Sequence, residues 1–263
     1  MYSNEKRRWP LVNKRNKGQV TIFIIIAILI VGLAVLFFFV LPKTKSTTTF
    51  DEKNPYSFIQ FCLEDKIKDT IDVISLQGGS VAPEHYFTYN DVDIEYLCYT
   101  NENLKLCVVQ RQLLKQHIES EIEDEIKDDV MGCFNALRES YEDKNYDVNI
   151  GPGITNIELL PKRVVASFDY VLTVSKAQTD RYDSFNVILN NNLYELISIA
   201  NSIIEWEAIV GKADPQDYMM LYDELQVELN PHDDGTKIYV LTDRNTEYKF
   251  QFASRSLVFP PGY

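Results

Sequence analysis

Val20 to Leu41 is a run of 22 residues without a charge. Eighteen of them are Ile, Leu, Val or Phe, the others being Thr21, Ala27, Gly32 and Ala34. As a helix rising ~1.5 Å per residue the run is roughly 33 Å long, matching the ~30 Å hydrocarbon core of a bilayer. Each large apolar residue near the centre favours insertion by about 0.3 to 0.6 kcal/mol, and no buried charge opposes the sum. A core helix of a globular protein seldom goes this far without a polar face. The expectation is therefore one transmembrane helix over 20–41, with Val20, Ile28 and Leu41 marking its start, middle and end and Pro42 stopping it.

Charge sets the orientation. Residues 1–42 hold six cations (Lys6, Arg7, Arg8, Lys14, Arg15, Lys17) and one acid, Glu5; residues 43–263 hold the remaining 20 basic and 38 acidic residues. The cations just before the helix place 1–19 on the cytoplasmic side as a basic stub and put 43–263 outside the cell membrane. No A-x-A site follows the apolar run, so the segment reads as an anchor rather than a removed signal. A portion carrying a net charge of -18 lacks the clustered Lys and Arg that phosphate contacts need, so nucleic acid is excluded as a partner. The lipid bilayer is the expected partner of 20–41, with other surface proteins or like subunits for the remainder.

The run Lys17-Gly18-Gln19 directly before the helix resembles the class III (prepilin-like) signal sequence of archaeal pilins and surface proteins, a likeness that covers about residues 14–41. The resemblance implies cleavage between Gly18 and Gln19 by a prepilin peptidase, with the apolar helix retained in a mature chain of 245 residues. Many type IV pilins carry Glu at the fifth mature position, where this chain has Phe23. The resemblance thus implies membrane insertion more directly than filament assembly.

The outer portion reads as α+β: mixed helices and antiparallel sheet. Residues 42–54, rich in Thr, have no apolar periodicity and read as a stalk. Ile59, Leu63, Ile67, Ile71 and Ile74 predict a helix over 58–76, stopped by Gly78-Gly79. Leu114, Ile118, Ile122, Ile126, Val130, Phe134 and Leu137 predict a longer one over 110–137. Strands are expected at 81–89, 94–99, 106–109, 146–150, 154–160, 164–174, 183–189, 237–242 and 248–253, and helices over 193–210 and from Asp214-Pro215 to Leu225. These elements divide into a helical subdomain, 55–144, and a sheet-rich one, 145–263, or else share one core.

Four cysteines lie in the outer portion, an even number in an exported segment, which favours disulfides. Cys98 and Cys107 flank a hairpin tip. If Tyr99 opposes Leu106, the two cysteines face each other within bridging distance. Cys62 and Cys133 then pair by elimination. The rival is a four-thiolate zinc site, which ordinarily shows a C-x-x-C pair that this chain lacks.

Little else points to chemistry. The acidic stretch Glu119 to Asp129 reads as the solvated face opposite the Ile stripe, with a calcium site as the alternative. Asn90-Asp-Val-Asp-Ile-Glu95 lacks the turn Gly and terminal Glu spacing of an EF-hand loop. His85, His117 and His232 form no H-E-x-x-H, and no nucleophile elbow, phosphate loop or dinucleotide fingerprint occurs. No catalytic residue, metal ligand or cofactor is expected. Three roles remain: a non-catalytic anchored surface protein, a pilin-like subunit, and an anchored enzyme of unread chemistry.

Overall fold

Two long helices form where apolar side chains recur every three or four residues. The computed structural model describes residues 54–259. Gly18, Gln19, Val20, Ile28 and Leu41, and with them the expected leader and membrane helix, lie outside that range, as does nearly all of the stalk. Among the described residues no helix is long and apolar enough to cross a membrane.

Helix α1, Pro55–Leu76, starts three residues before the expected position because Asn54 caps it. The Asn54 Oδ1 accepts the Tyr56 N–H at 3.1 Å, and Pro55 occupies the first turn. Gly78 and Gly79 take φ of +81° and +111°. That turn lets the Gly79 N–H reach back 2.9 Å to the Ile74 carbonyl and close the helix. Helix α2, Leu114–Glu142, begins four residues later than Gln110 and runs past Leu137. Gln110 is unavailable to it, since its N–H donates to the Leu97 carbonyl at 2.8 Å and prolongs strand pairing. Both Ile and Leu stripes are fully inside: Ile59, Leu63, Ile67, Ile71 and Ile74 face Leu114, Ile118, Ile122, Ile126 and Val130 in one core.

The largest sheet has the order β1-β2-β12-β11-β10. Its strands are β1 (Tyr86–Tyr89), β2 (Val92–Tyr99), β10 (Leu225–Pro231), β11 (Thr236–Asp243) and β12 (Lys249–Arg255), with β3 (Val108–Val109) sharing the β1 side of β2. Asn90 and Asp91, at φ 50° and 62°, make the two-residue turn between β1 and β2, the mirror-image turn that suits strand twist. Antiparallel pairing holds throughout except between β2 and β12, which run parallel with a bulge at Ala253/Ser254. Strand β10 was not expected; its Leu225, Val227 and Leu229 alternate inward, and the preceding helix ends at Leu221 rather than Leu225.

Two smaller antiparallel sheets carry β5 (Ile154–Leu160), β6 (Arg163–Asp169) and β9 (Phe185–Asn190) in the order β5-β6-β9, and β4 (Asp147–Ile150), β7 (Leu172–Ser175) and β8 (Thr179–Tyr182) in the order β4-β7-β8. The alternating run 164–174 therefore breaks at Tyr170-Val171 into strands of different sheets. Helix α3, Leu193–Ile209, lies against β11 and β12, and the short α4, Pro215–Leu221, follows with Asp214 accepting the Gln216 N–H at 3.0 Å.

Residues on both sides of position 144 share a single apolar core, from Ile59 through Leu137 to Phe168, Leu241 and Phe252. A second, small core of Ile94, Tyr96, Ile238 and Ala253 fills the opposite face of the large sheet. Mixed α+β architecture with mainly antiparallel sheet is what the alternating and helical apolar patterns predict; the parallel β2–β12 seam is not.

Candidate functional site

The apolar stripe of α3 runs Ala200, Ile203, Ile204 and then, at the next inward position, Glu207. Helical spacing thus delivers a carboxylate into the core, where it is 0% exposed. Burial without partners would cost several kcal/mol. Lys237 and Tyr239 alternate onto the same face of β11 and meet it. Lys237 Nζ lies 2.6 Å from Oε2, the Tyr239 hydroxyl donates to Oε1, and Ser254 Oγ of β12 lies 3.2 Å from Oε2. Lys237 also donates to the Gly211 carbonyl at 2.6 Å, so the α3 terminus is held as well. Burial, reinforced by the Glu207 charge, drives the Tyr239 phenol far above its ordinary value and keeps it a donor. Ser256 Oγ donates to the Glu207 carbonyl at 2.9 Å and accepts the Cys107 N–H at 3.0 Å. The network is closed on itself.

A second cluster surrounds Glu95, placed by strand alternation on the helix side of β2 and 3% exposed. Arg111 contacts its Oε1 through Nε at 2.8 Å and a terminal nitrogen at 2.6 Å. Ser80 Oγ donates to Oε2 at 2.5 Å and lies 2.8 Å from His117 Nε2. Glu121, one turn beyond His117 on α2, accepts the Val81 N–H at 2.9 Å and stands 4.0 Å from the same Nε2.

Serine, histidine and two carboxylates in one place invite a nucleophilic reading, but the proton directions oppose it. Ser80 has one proton and gives it to Glu95, so it accepts from His117 Nε2. An activated serine needs that nitrogen as acceptor, with a carboxylate orienting Nδ1. Here the nearby Glu121 carboxylate is on the Nε2 side, and Ser80 itself is buried. The arrangement clamps the Ser80-Val81 segment against β2 and α2.

The acid-rich face of α2 is partly structural. Glu119 accepts the Leu159 N–H of β5 at 2.7 Å and pairs with Lys115 at 2.6 Å, while Lys66 and Asp129 link α1 to α2 at 3.5 Å. Asn90 to Glu95 is a hairpin turn running into a strand whose last carboxylate belongs to the Arg111 cluster. Among the described residues no group of three or more His, Cys, Asp or Glu side chains is placed to hold a metal ion.

All four cysteines are bridged. Cys62–Cys133 joins α1 to α2 with Cα atoms 6.0 Å apart, and Cys98–Cys107 spans 5.4 Å. The second pair forms despite a different register: Cys98 opposes Val109 and Tyr99 opposes Val108, two positions from the expected alignment. Cys107 lies just before β3, where the chain still passes close to β2.

His85 and His232, distant in sequence, cover the second core together. His85 packs on Tyr96 and Tyr99 at 4.8 and 4.2 Å between ring centroids, and His232 on Phe87 and Tyr89 at 4.5 and 5.6 Å. Beneath them Tyr96 donates to Thr236 Oγ1 at 2.7 Å, which donates to Asp234 at 2.9 Å. Burial raises the Tyr96 phenol above its usual value.

Neither polar cluster is marked by a motif. Two weak signals exist: Glu207 sits at core spacing on an apolar stripe, and Glu95 interrupts the apolar run Ile94 to Leu97. No protein-family model matches the chain, and no curated protein or solved structure matches it.

Proposed function

We propose that the chain is a single-pass, membrane-anchored surface protein whose outer α+β portion binds or contacts another macromolecule and performs no catalysis. The observation that carries the reading is the use of every cysteine in two bridges, which persist in oxidising compartments outside the cytoplasm. It agrees with the side of the membrane assigned by Lys6 to Lys17 and the apolar run that follows. The non-catalytic part is supported by buried charges that are spent on one another and on backbone groups, with proton directions at Ser80 and His117 unsuited to nucleophile activation.

Protease added to intact cells tests the compartment: residues 43–263 are expected to be degraded, and their protection overturns the reading. A filament subunit processed after Gly18 is the second reading, favoured by Lys17-Gly18-Gln19. Sequencing the mature N-terminus decides it, since Gln19 as first residue supports processing, and an intact Met1 on cells without filaments removes it.

A further inference from the structure

Helix α3 ends in side chains that its stripe does not bury. Trp206, Ile209 and Val210 stand three and four residues apart on the outward face, and Met220, Leu221 and Tyr222 follow at the end of α4. Met220 and Leu221 share a groove with Trp206 and Val210, and Leu221 is 75% exposed. The six are 48–75% exposed, and clustered large apolar side chains left uncovered and rimmed by polar groups mark an interaction surface. The patch contains both a hollow and a projection: a groove of about 570 Å³ is lined by Trp206, Val210, Lys212, Asp217, Met220 and Leu221. Lys212 and Asp217 share the groove, and among the described residues neither has an ionic partner.

We infer that this face pairs with the same face of a second copy of the chain. A two-fold interface sets residue i against j and j against i, so one patch must hold both a knob and a hole, and both signs of charge. Leu221 of one copy enters the groove beside Trp206 of the other, and Lys212 of each faces Asp217 of its mate. A lipid surface fits less well: Asp214 and Asp217 rim the groove, and taking carboxylates into an apolar interface unpaired is costly. The inference deepens the anchored reading, since two copies tethered in one bilayer meet at high effective concentration.

Because every native cysteine is bridged, one added thiol reports on the contact. Full-length chain carrying Leu221→Cys, in mild detergent at less than one chain per micelle, is treated with a short bis-maleimide. A covalent dimer is expected, and Ile188→Cys, exposed on β9, gives none. Adding Trp206→Asp lowers the Leu221→Cys yield at least about tenfold while near-ultraviolet circular dichroism is unchanged; adding Asp217→Lys lowers it, and Lys212→Asp with Asp217→Lys restores it. No dimer from Leu221→Cys, equal yields from both thiols, or a yield indifferent to Trp206→Asp overturns the pairing. So does a thiol at 221 that is shielded in nanodiscs yet never cross-links, the result of a lipid contact. Failure of the anchored reading is seen elsewhere, as unchanged membrane retention of Ile28→Asp.

Discussion

The ring of Phe87 on β1 lies 4.5 Å from that of His232, in the turn after β10, although β1 and β10 are opposite edges of the large sheet. Four strand spacings separate those edges, about 19 Å in a flat sheet. The turn after β10 therefore folds back over the β1 side of the sheet, and the face it covers with β1 is the second core of Ile94, Tyr96, Ile238 and Ala253. Phe87→Ala is expected to cost about 2 kcal/mol, less than the ~3–5 kcal/mol of a fully buried ring, because Phe87 covers this core rather than filling it. Denaturant titration followed by near-ultraviolet circular dichroism measures it; a loss below about 0.5 kcal/mol means that Phe87 does not hold the turn over this core.

Lys237 is the counter-charge of a carboxylate with no access to water. Lys237→Met strands Glu207 and should cost about 3–5 kcal/mol, whereas Lys237→Met with Glu207→Leu recovers most of that loss. A double-mutant cycle reads the coupling. Losses that simply add in the double variant would show that the pair is not coupled.

Asp243 holds the turn between β11 and β12. Burial pushes its carboxyl up, but hydrogen bonds from Thr246, Asn192 and Asn245 outweigh it and leave the group below its ordinary value. A lowered folded value means stability that is complete above the unfolded value of ~3.9 and fades as pH falls through the folded one. The stability gap between wild type and Asp243→Asn should be widest near pH 6 and close on acidification. A gap that widens as pH drops reverses the sign and the assignment.

The two disulfides differ in the span of chain they close, 71 residues for Cys62–Cys133 and 9 for Cys98–Cys107. In the chain-entropy picture their removal costs roughly 4 and roughly 3 kcal/mol. Paired Cys→Ala variants compared by thermal unfolding should keep that order. Non-reducing peptide mapping should recover both bridges, and thiols alkylatable without reductant would reject them.

Helices were legible because burial on one side writes a period into the sequence: every Ile of α1 at the expected spacing is in the core. Helix boundaries were legible too, a stop at Gly78-Gly79 and a start at Asp214-Pro215. Pairing was not. Val164 to Val174 alternates without interruption, and nothing local reveals that Tyr170-Val171 carries the chain from one sheet to another. The Cys98–Cys107 bridge was recognised from its flanking strands, yet the register came out two residues different because Gln110 extends the β2 pairing past the expected helix start. The polar clusters were the least visible. Their members come from α3, β11 and β12, or from β2, α2, the loop between α1 and β1 and the segment between β3 and α2, and only the tertiary fold brings them together.

The parallel seam between β2 and β12 has a consequence in time. Tyr96 waits for Ala253, a partner 157 residues later in the chain. During synthesis β2 emerges with its inner edge open, and the middle of the sheet is sealed by the last of the described strands. Until then β2, paired with β1 and β3 on one side, keeps its other edge open, an arrangement prone to stray pairing. Assembly of the large sheet thus waits on a contact between distant parts of the chain, which slows the closing of its middle relative to the local hairpins.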